Sequence, residues 1–339
     1  MQQLNHIPRL VLIVVALVPS ACTLQAADDI AKPPLLVPLP RKIPAPEENP
    51  TTKEKVALGR QLFFDPRLSG ENTMSCATCH LPEKAFGDGL PRAKGANDKE
   101  LSRNTPSLLN VGLYATYFWD GRAGSLEEQA LGPIQSPDEM NQNLDELVRE
   151  LSQVPGYRQQ FQQVFGTEVS GQSIAKALAA FQRTLITGPS PFDRYLAGDQ
   201  QALSRSAQRG LALFQGEAGC IRCHQGPLLS DGKFYRLGVS FSDEGLAVVT
   251  GKQDDKGRFR TPSLRNIAQT GPYMHNGSLK TLDEVVTFYY RGIPLTAPDG
   301  LELDLQPLSG QSFAEIADLV AFLKSLTGDP PKITPPELP

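Results

Sequence analysis

Histidine is scarce in this sequence, with four residues in 339, and tryptophan scarcer still, with one. Methionine also occurs only four times. Chemistry that needs imidazole or thioether donors must therefore draw on a short list: His6, His80, His224 and His275, and Met1, Met74, Met140 and Met274. No apolar run approaches the roughly 20 residues that a bilayer-spanning helix requires, which argues against a membrane span. Basic residues are not in excess: 33 Lys and Arg against 37 Asp and Glu give a net charge of −4, which argues against nucleic acid as a partner. Hydrophobic residues make up 40% and charged residues 21%, so the chain is neither disordered nor fibrous, and it is long enough for two cores.

The N-terminus reads as an export signal over residues 1–26. Arg9 supplies positive charge, Leu10 to Val18 is an apolar run too short to span a bilayer, and Leu24-Gln25-Ala26 offers a cleavage site. This predicts a periplasmic protein. One of the five cysteines, Cys22, lies at this processing site. Ser20-Ala21-Cys22 resembles a lipoprotein box, but Pro19 stands where that box takes an aliphatic residue, which disfavours a lipid anchor.

Residues 27–50 are proline-rich and read as an extended arm without a core of its own, and residues 329–339 form a similar tail. Between them, apolar stripes at helical spacing predict helices around Val56–Phe63, Leu144–Leu151, Ile174–Leu185 and Phe313–Leu323. No run alternates like a strand, so the expected class is all-α. The sequence also repeats itself: Arg103-Asn104-Thr105-Pro106-Ser107-Leu108 returns as Arg260-Thr261-Pro262-Ser263-Leu264, with an offset of 156 residues from Thr105 and Thr261 onward. That offset holds for Asn110 and Asn266, Tyr117 and Tyr273, Gly121 and Gly277, Leu126 and Leu282, and Glu128 and Glu284. The expected organisation is two duplicated domains, residues 51–190 and 200–328, joined through a Gly- and Pro-containing segment.

Each copy carries Cys-x-x-Cys-His: Cys76, Cys79 and His80 in the first, Cys220, Cys223 and His224 in the second. This spacing attaches a c-type haem through two thioethers and supplies an axial imidazole. A thioredoxin-like pair does not need the following His. A four-cysteine zinc site places its two pairs far closer together, and disulfides would leave both histidines unexplained. The sixth ligand separates an electron carrier from a peroxidase. No histidine lies between Leu81 and Cys223, so Met74 and Met140 are the remaining thioether candidates near the first haem.

With these motifs in place, the chain resembles the bacterial dihaem cytochrome c peroxidases and MauG from about Val56 to Gly328. The segments that carry the likeness are FWDGRAGSLEEQALGPIQSPDEM and RTPSLRNIAQTGPYMHNGSLKTLDEVVTFYY. The resemblance implies two cytochrome c-like domains, with Gln129, Pro133 and Glu139 on the distal side of the first haem. There, Glu139 would shuttle a peroxide proton. It implies Trp119 as the aromatic between the haems and a calcium ion held by Asn104, Thr270 and Pro272. Many of these peroxidases place a blocking His near the position of Ala96, which this chain lacks. Where they place a methionine on the second haem, this chain has Tyr289, as MauG does; Met274 is the competing ligand. At the repeat offset Tyr289 corresponds to Pro133. His275 is expected near the haem rather than on it.

The expected function is that of a MauG-like oxidoreductase, with hydrogen peroxide reacting at the first haem and oxidising equivalents passing to the second. Its partner would be a redox donor or a protein substrate. The rival readings are an ordinary cytochrome c peroxidase fed by a small cytochrome or copper protein, a non-catalytic dihaem electron carrier, and a haem sensor.

Overall fold

A computed structural model describes residue 1 and residues 36–240, 242–291 and 312–339. The signal segment, Cys22 and the first part of the arm lie outside the described residues. Residues 34–339 form one compact unit.

The described residues are mostly helical. The helices are α1 (Lys53–Phe63), α2 (Cys76–Cys79), α3 (Leu126–Gln135), α4 (Leu144–Gln153), α5 (Pro155–Phe165), α6 (Gly171–Gln182), α7 (Pro191–Leu196), α8 (Arg205–Gln215), α9 (Ala247–Thr250), α10 (Leu282–Arg291) and α11 (Phe313–Lys324). The four helices expected from apolar stripes correspond to α1, α4, α6 and α11. One short antiparallel ribbon, β1 (Phe234–Tyr235) with β2 (Phe259–Arg260), was not visible as alternation. Two residues per strand are too few for a period to register.

Two apolar cores divide the helices between them. The first gathers Leu58, Leu62 and Phe63 of α1 with Ala177, Leu178 and Phe181 of α6, along with Leu126 and Ile134 of α3. The second gathers Leu211 and Phe214 of α8 with Leu319, Phe322 and Leu323 of α11, along with Leu282 and Val286 of α10. Glycines bring each pair of helices into close contact. A Cβ on Gly59 would lie 1.9 Å from the Ala177 carbonyl oxygen, and one on Gly210 1.9 Å from that of Asp318. Only the absence of a side chain lets the backbones meet there.

The local geometry of the two halves repeats at the sequence offset. Ser125 Oγ accepts from the Glu128 amide while the Glu128 carboxylate accepts from Gly124 N, and Thr281, Glu284 and Lys280 do the same at α10. Both helix starts thus satisfy amides that lack an intrahelical acceptor. Tyr117 bridges Ala123, and Tyr273 bridges Leu279. Asn110 and Asn266 both take the left-handed backbone conformation, as do Gly121 and Gly277.

The segment between the halves is more ordered than its Gly and Pro content suggests. It contains α7, whose Phe192 and Asp193 are buried. Asp193 accepts from Arg265 Nη1 at 2.8 Å, and the arm is pinned beside it. Leu39 N donates to Asp193, and Arg265 Nη2 donates to the Val37 carbonyl at 3.0 Å. Further along the arm Ile43 is buried, and Asn49 donates to Glu127 and to the Lys176 carbonyl. The tail is also tied down. Arg60 donates to the Thr334 carbonyl, Gln61 to that of Glu337, and Ile333 packs on the first core. Neither segment has its own core, and both borrow from the halves they cross.

Candidate active site

Both Cys-x-x-Cys-His motifs open on one cavity of about 1150 Å³. Each histidine is fixed by one hydrogen bond. His80 Nδ1 lies 2.9 Å from the Phe86 carbonyl oxygen, and His224 Nδ1 lies 2.8 Å from that of Leu229. A carbonyl only accepts, so Nδ1 carries the proton and the Nε2 lone pair is free for a metal. Burial also lowers both imidazoles below their usual value, which keeps them neutral. The accepting loops are held by the repeated serines. Ser107 Oγ donates to the Ala85 carbonyl at 2.5 Å, and Ser263 Oγ to that of Leu228 at 2.7 Å. Phe86 and Leu229 both have positive φ, which turns their carbonyls towards the imidazoles.

The four motif cysteines form no disulfide. Burial pushes Cys76 and Cys220 up to about 12 and Cys79 up to about 11. Thiols raised by burial are unlike the exposed, low-pKa cysteine of a reactive redox pair. No cluster of three or more His, Cys, Asp or Glu able to hold a metal ion occurs among the described residues. Unbridged cysteines in pairs, each beside a preset imidazole in a large cavity, fit two covalent haems.

Gln129 and Pro133 are one turn apart on α3 and face this cavity together with Glu139 on the loop beyond. Main-chain bonds hold that loop. Glu139 N donates to the Ser136 carbonyl, Met140 N to that of Pro133 at 3.1 Å, and Ala96 N to that of Glu139 at 2.7 Å. The segment around Ala96 therefore sits directly on the distal loop. A Cβ on Gly95 would lie 1.8 Å from the Asp138 carbonyl oxygen. Burial raises the Glu139 carboxyl above its usual range, partly offset by the Arg122 charge and a Ser136 hydrogen bond. Met74 and Met140 also line the cavity.

Trp119 lies where the halves meet. Its Nε1 donates to the Asn104 carbonyl at 2.9 Å, and its own carbonyl accepts from Arg260 N at 2.9 Å. Asn104, Thr270 and Pro272 line the same cavity. The Asn104 side-chain nitrogen donates to the Leu90 carbonyl, which leaves Oδ1 as the atom available to a cation. In the second half, Tyr289 on α10 and Met274 both reach the cavity. The Tyr289 phenol is held above its usual value by burial and then by the thiols of Cys220 and Cys223, which places it beside the second motif. His275 is buried and stacked on Phe259, with ring centres 3.7 Å apart; burial lowers it to about 4.

A model of the family described as dihaem cytochrome c peroxidase matches residues 53–201. The methylamine utilization protein MauG of Methylorubrum extorquens is 44% identical over 88% of this chain and 86% of its own length. The chain belongs to the dihaem cytochrome c peroxidase family. It is a peroxidase-type oxidoreductase. Cytochrome c551 peroxidase of Nitrosomonas europaea is 37% identical over 86% of this chain and 85% of its own. The crystal structure of a MauG-like protein associated with microbial copper homeostasis superposes with a TM-score of 0.78. It is 36% identical and covers 86% of this chain and 95% of its own. No helix among the described residues is long and apolar enough to cross a membrane.

Several polar residues of this site carry no sequence motif. Arg103 bridges Asp120 (2.6 Å) and Asp243 (2.8 Å), a tie between segments 140 residues apart. Tyr235 Oη donates to Asp231 at 2.7 Å and lies against the Cys223 thiol. Ser107 and Ser263 stand inside the repeated segment, so the duplication marked them, although their task is clear only from their acceptors.

Proposed function

We propose that this chain is a periplasmic dihaem peroxidase, two duplicated haem domains in one body, that reduces hydrogen peroxide in its first half and passes oxidising equivalents to its second. Cys76, Cys79 and His80 hold the first haem, and Cys220, Cys223 and His224 hold the second. When bound, the haems would supply the redox-active iron that reacts with peroxide. Around the first, Glu139 would take a proton from peroxide and return it to the departing oxygen, while Gln129 would orient the peroxide by hydrogen bonding. The raised carboxyl is a stronger base than a surface carboxylate, which suits a group that must both accept and release a proton. Trp119, hydrogen-bonded to both halves, provides the aromatic path between them. Asn104, Thr270 and Pro272 hold a calcium ion at the same seam.

One observation carries this reading: Pro133 and Tyr289 occupy equivalent places on α3 and α10, two helices whose ends match at the repeat offset. The first place offers hydrocarbon and leaves room for a reactant. The second offers a phenol that burial would keep protonated unless a cation takes its oxygen. A tyrosine oxygen on the second haem favours a MauG-like enzyme, which oxidises a protein side chain at a distance, over one that draws electrons from a small cytochrome or copper protein. Resting-state EPR of the wild type and of Tyr289→Phe tests this. The expected result is one high-spin centre and one oxygen-ligated centre, the second altered by the substitution. Two low-spin centres unaffected by Tyr289→Phe would refute it. Rapid steady-state peroxide turnover with a reduced small cytochrome would favour the ordinary peroxidase instead.

A further inference from the structure

Among the described residues, the other two buried arginines have carboxylate partners. Arg183 pairs with Glu127 at 2.8 Å, and Arg265 pairs with Asp193 at 2.8 Å. Arg260 differs. It is 7% exposed, yet no ion pair to it is found among the described residues. Its Nε donates to the Phe118 carbonyl at 3.3 Å, its guanidinium lies 3.7 Å over the Tyr114 ring, and Nη1 has no hydrogen-bond partner. Leaving a charge buried without a counter-ion costs several kcal/mol, so a fork of this kind implies an anion that the protein itself does not contribute. Arg260 lines the cavity that both Cys-x-x-Cys-His motifs share.

We infer that Arg260 is a binding residue for a carboxylate of the first haem, supplied across the seam by the second half of the chain. Haem carries two propionate carboxylates, and a planar guanidinium matches that shape. Two contacts favour the first haem over the second. The ring beneath the guanidinium (Tyr114) and the carbonyl it binds (Phe118) both belong to the first half. The duplication adds a contrast. Arg103, which precedes the same repeated Thr-Pro-Ser-Leu segment in the first half, pairs with Asp120 and Asp243, whereas Arg260 has no carboxylate partner among the described residues. The main-chain bond from Arg260 N to the Trp119 carbonyl fixes this cation beside the aromatic between the halves.

This inference rests on the two-haem reading above, and the experiment separates the two. Holoprotein of wild type, R260Q and R260K is first assayed for covalent haem, then titrated potentiometrically with EPR resolving the two centres. Removing a cation beside a propionate favours the oxidised iron. R260Q should therefore lower the midpoint potential of the first haem and leave the second in place, while R260K should restore most of the shift. In R260K the propionate bending band of the resonance Raman spectrum should still move, because lysine keeps the charge but loses the fork. Unchanged potentials in R260Q, a shift confined to the second haem, or a propionate band indifferent to R260K would each overturn the assignment to the first haem. Fewer than two covalent haems in the wild type would instead overturn the reading on which it depends.

Discussion

The Glu139→Gln substitution isolates proton transfer from everything else the distal loop does. The loop is held by main-chain bonds: Glu139 N to the Ser136 carbonyl and Ala96 N to the Glu139 carbonyl. These bonds do not depend on the side chain, and glutamine has nearly the same shape. The variant therefore keeps the cavity and loses only a group that can take and return a proton. Positioned general acid–base catalysis contributes about 10²–10⁴-fold, or roughly 3–5 kcal/mol of activation free energy. Burial raises the Glu139 carboxyl, with Arg122 and Ser136 opposing, so it is a stronger base than a surface carboxylate. A base works only when ionised, so the wild-type rate should fall as pH drops through a value above the ordinary 4.5. Glutamine does not titrate, and its profile should be flat there. Stopped-flow absorbance, read as a second-order rate constant against peroxide concentration, measures both effects. A variant within about tenfold of wild type, or one that keeps the wild-type acid limb, would refute the assignment of Glu139 as the proton carrier.

Asp193→Ala leaves the buried Arg265 guanidinium without its anion and removes the acceptor for Leu39 N. Urea unfolding should show a loss of about 3–5 kcal/mol, and proteolysis should release the arm near Leu39. Gly59→Ala pushes a methyl into the Ala177 carbonyl where α1 crosses α6, and should cost about 1–3 kcal/mol as a lowered thermal midpoint. The matching change at Gly210, against Asp318, should destabilise the second half by a similar amount. If calcium bridges Asn104, Thr270 and Pro272, a chelator should lower the wild-type midpoint. Saturation at 100 times the dissociation constant corresponds to about 2.7 kcal/mol. The Asn104→Ala variant should not respond to the chelator.

Much of the site was legible because its parts are local or repeated. Cys-x-x-Cys-His needs only five adjacent residues to set out two thioethers and an imidazole. The repeat at 156 residues pairs Pro133 with Tyr289 from the sequence alone. Gln129 and Pro133 could be placed together because one turn of helix separates them. The ribbon of β1 and β2, the helix α7 between the halves, and the docking of arm and tail were not legible. Each depends on partners far away in sequence: Leu39 with Asp193, Arg60 with Thr334, and Phe234 with Arg260.

Sequence alone carried the two Cys-x-x-Cys-His motifs and the repeat at 156 residues, since these are matters of short-range spacing and self-similarity. The tertiary structure decided which nitrogen of each histidine is free, because the Phe86 and Leu229 carbonyls become acceptors only after their loops turn back. It also decided that Arg183 and Arg265 meet carboxylates while Arg260 meets only a ring face and a carbonyl. A charge's partner is set by where the folded chain carries it, and no local pattern of residues encodes that distance.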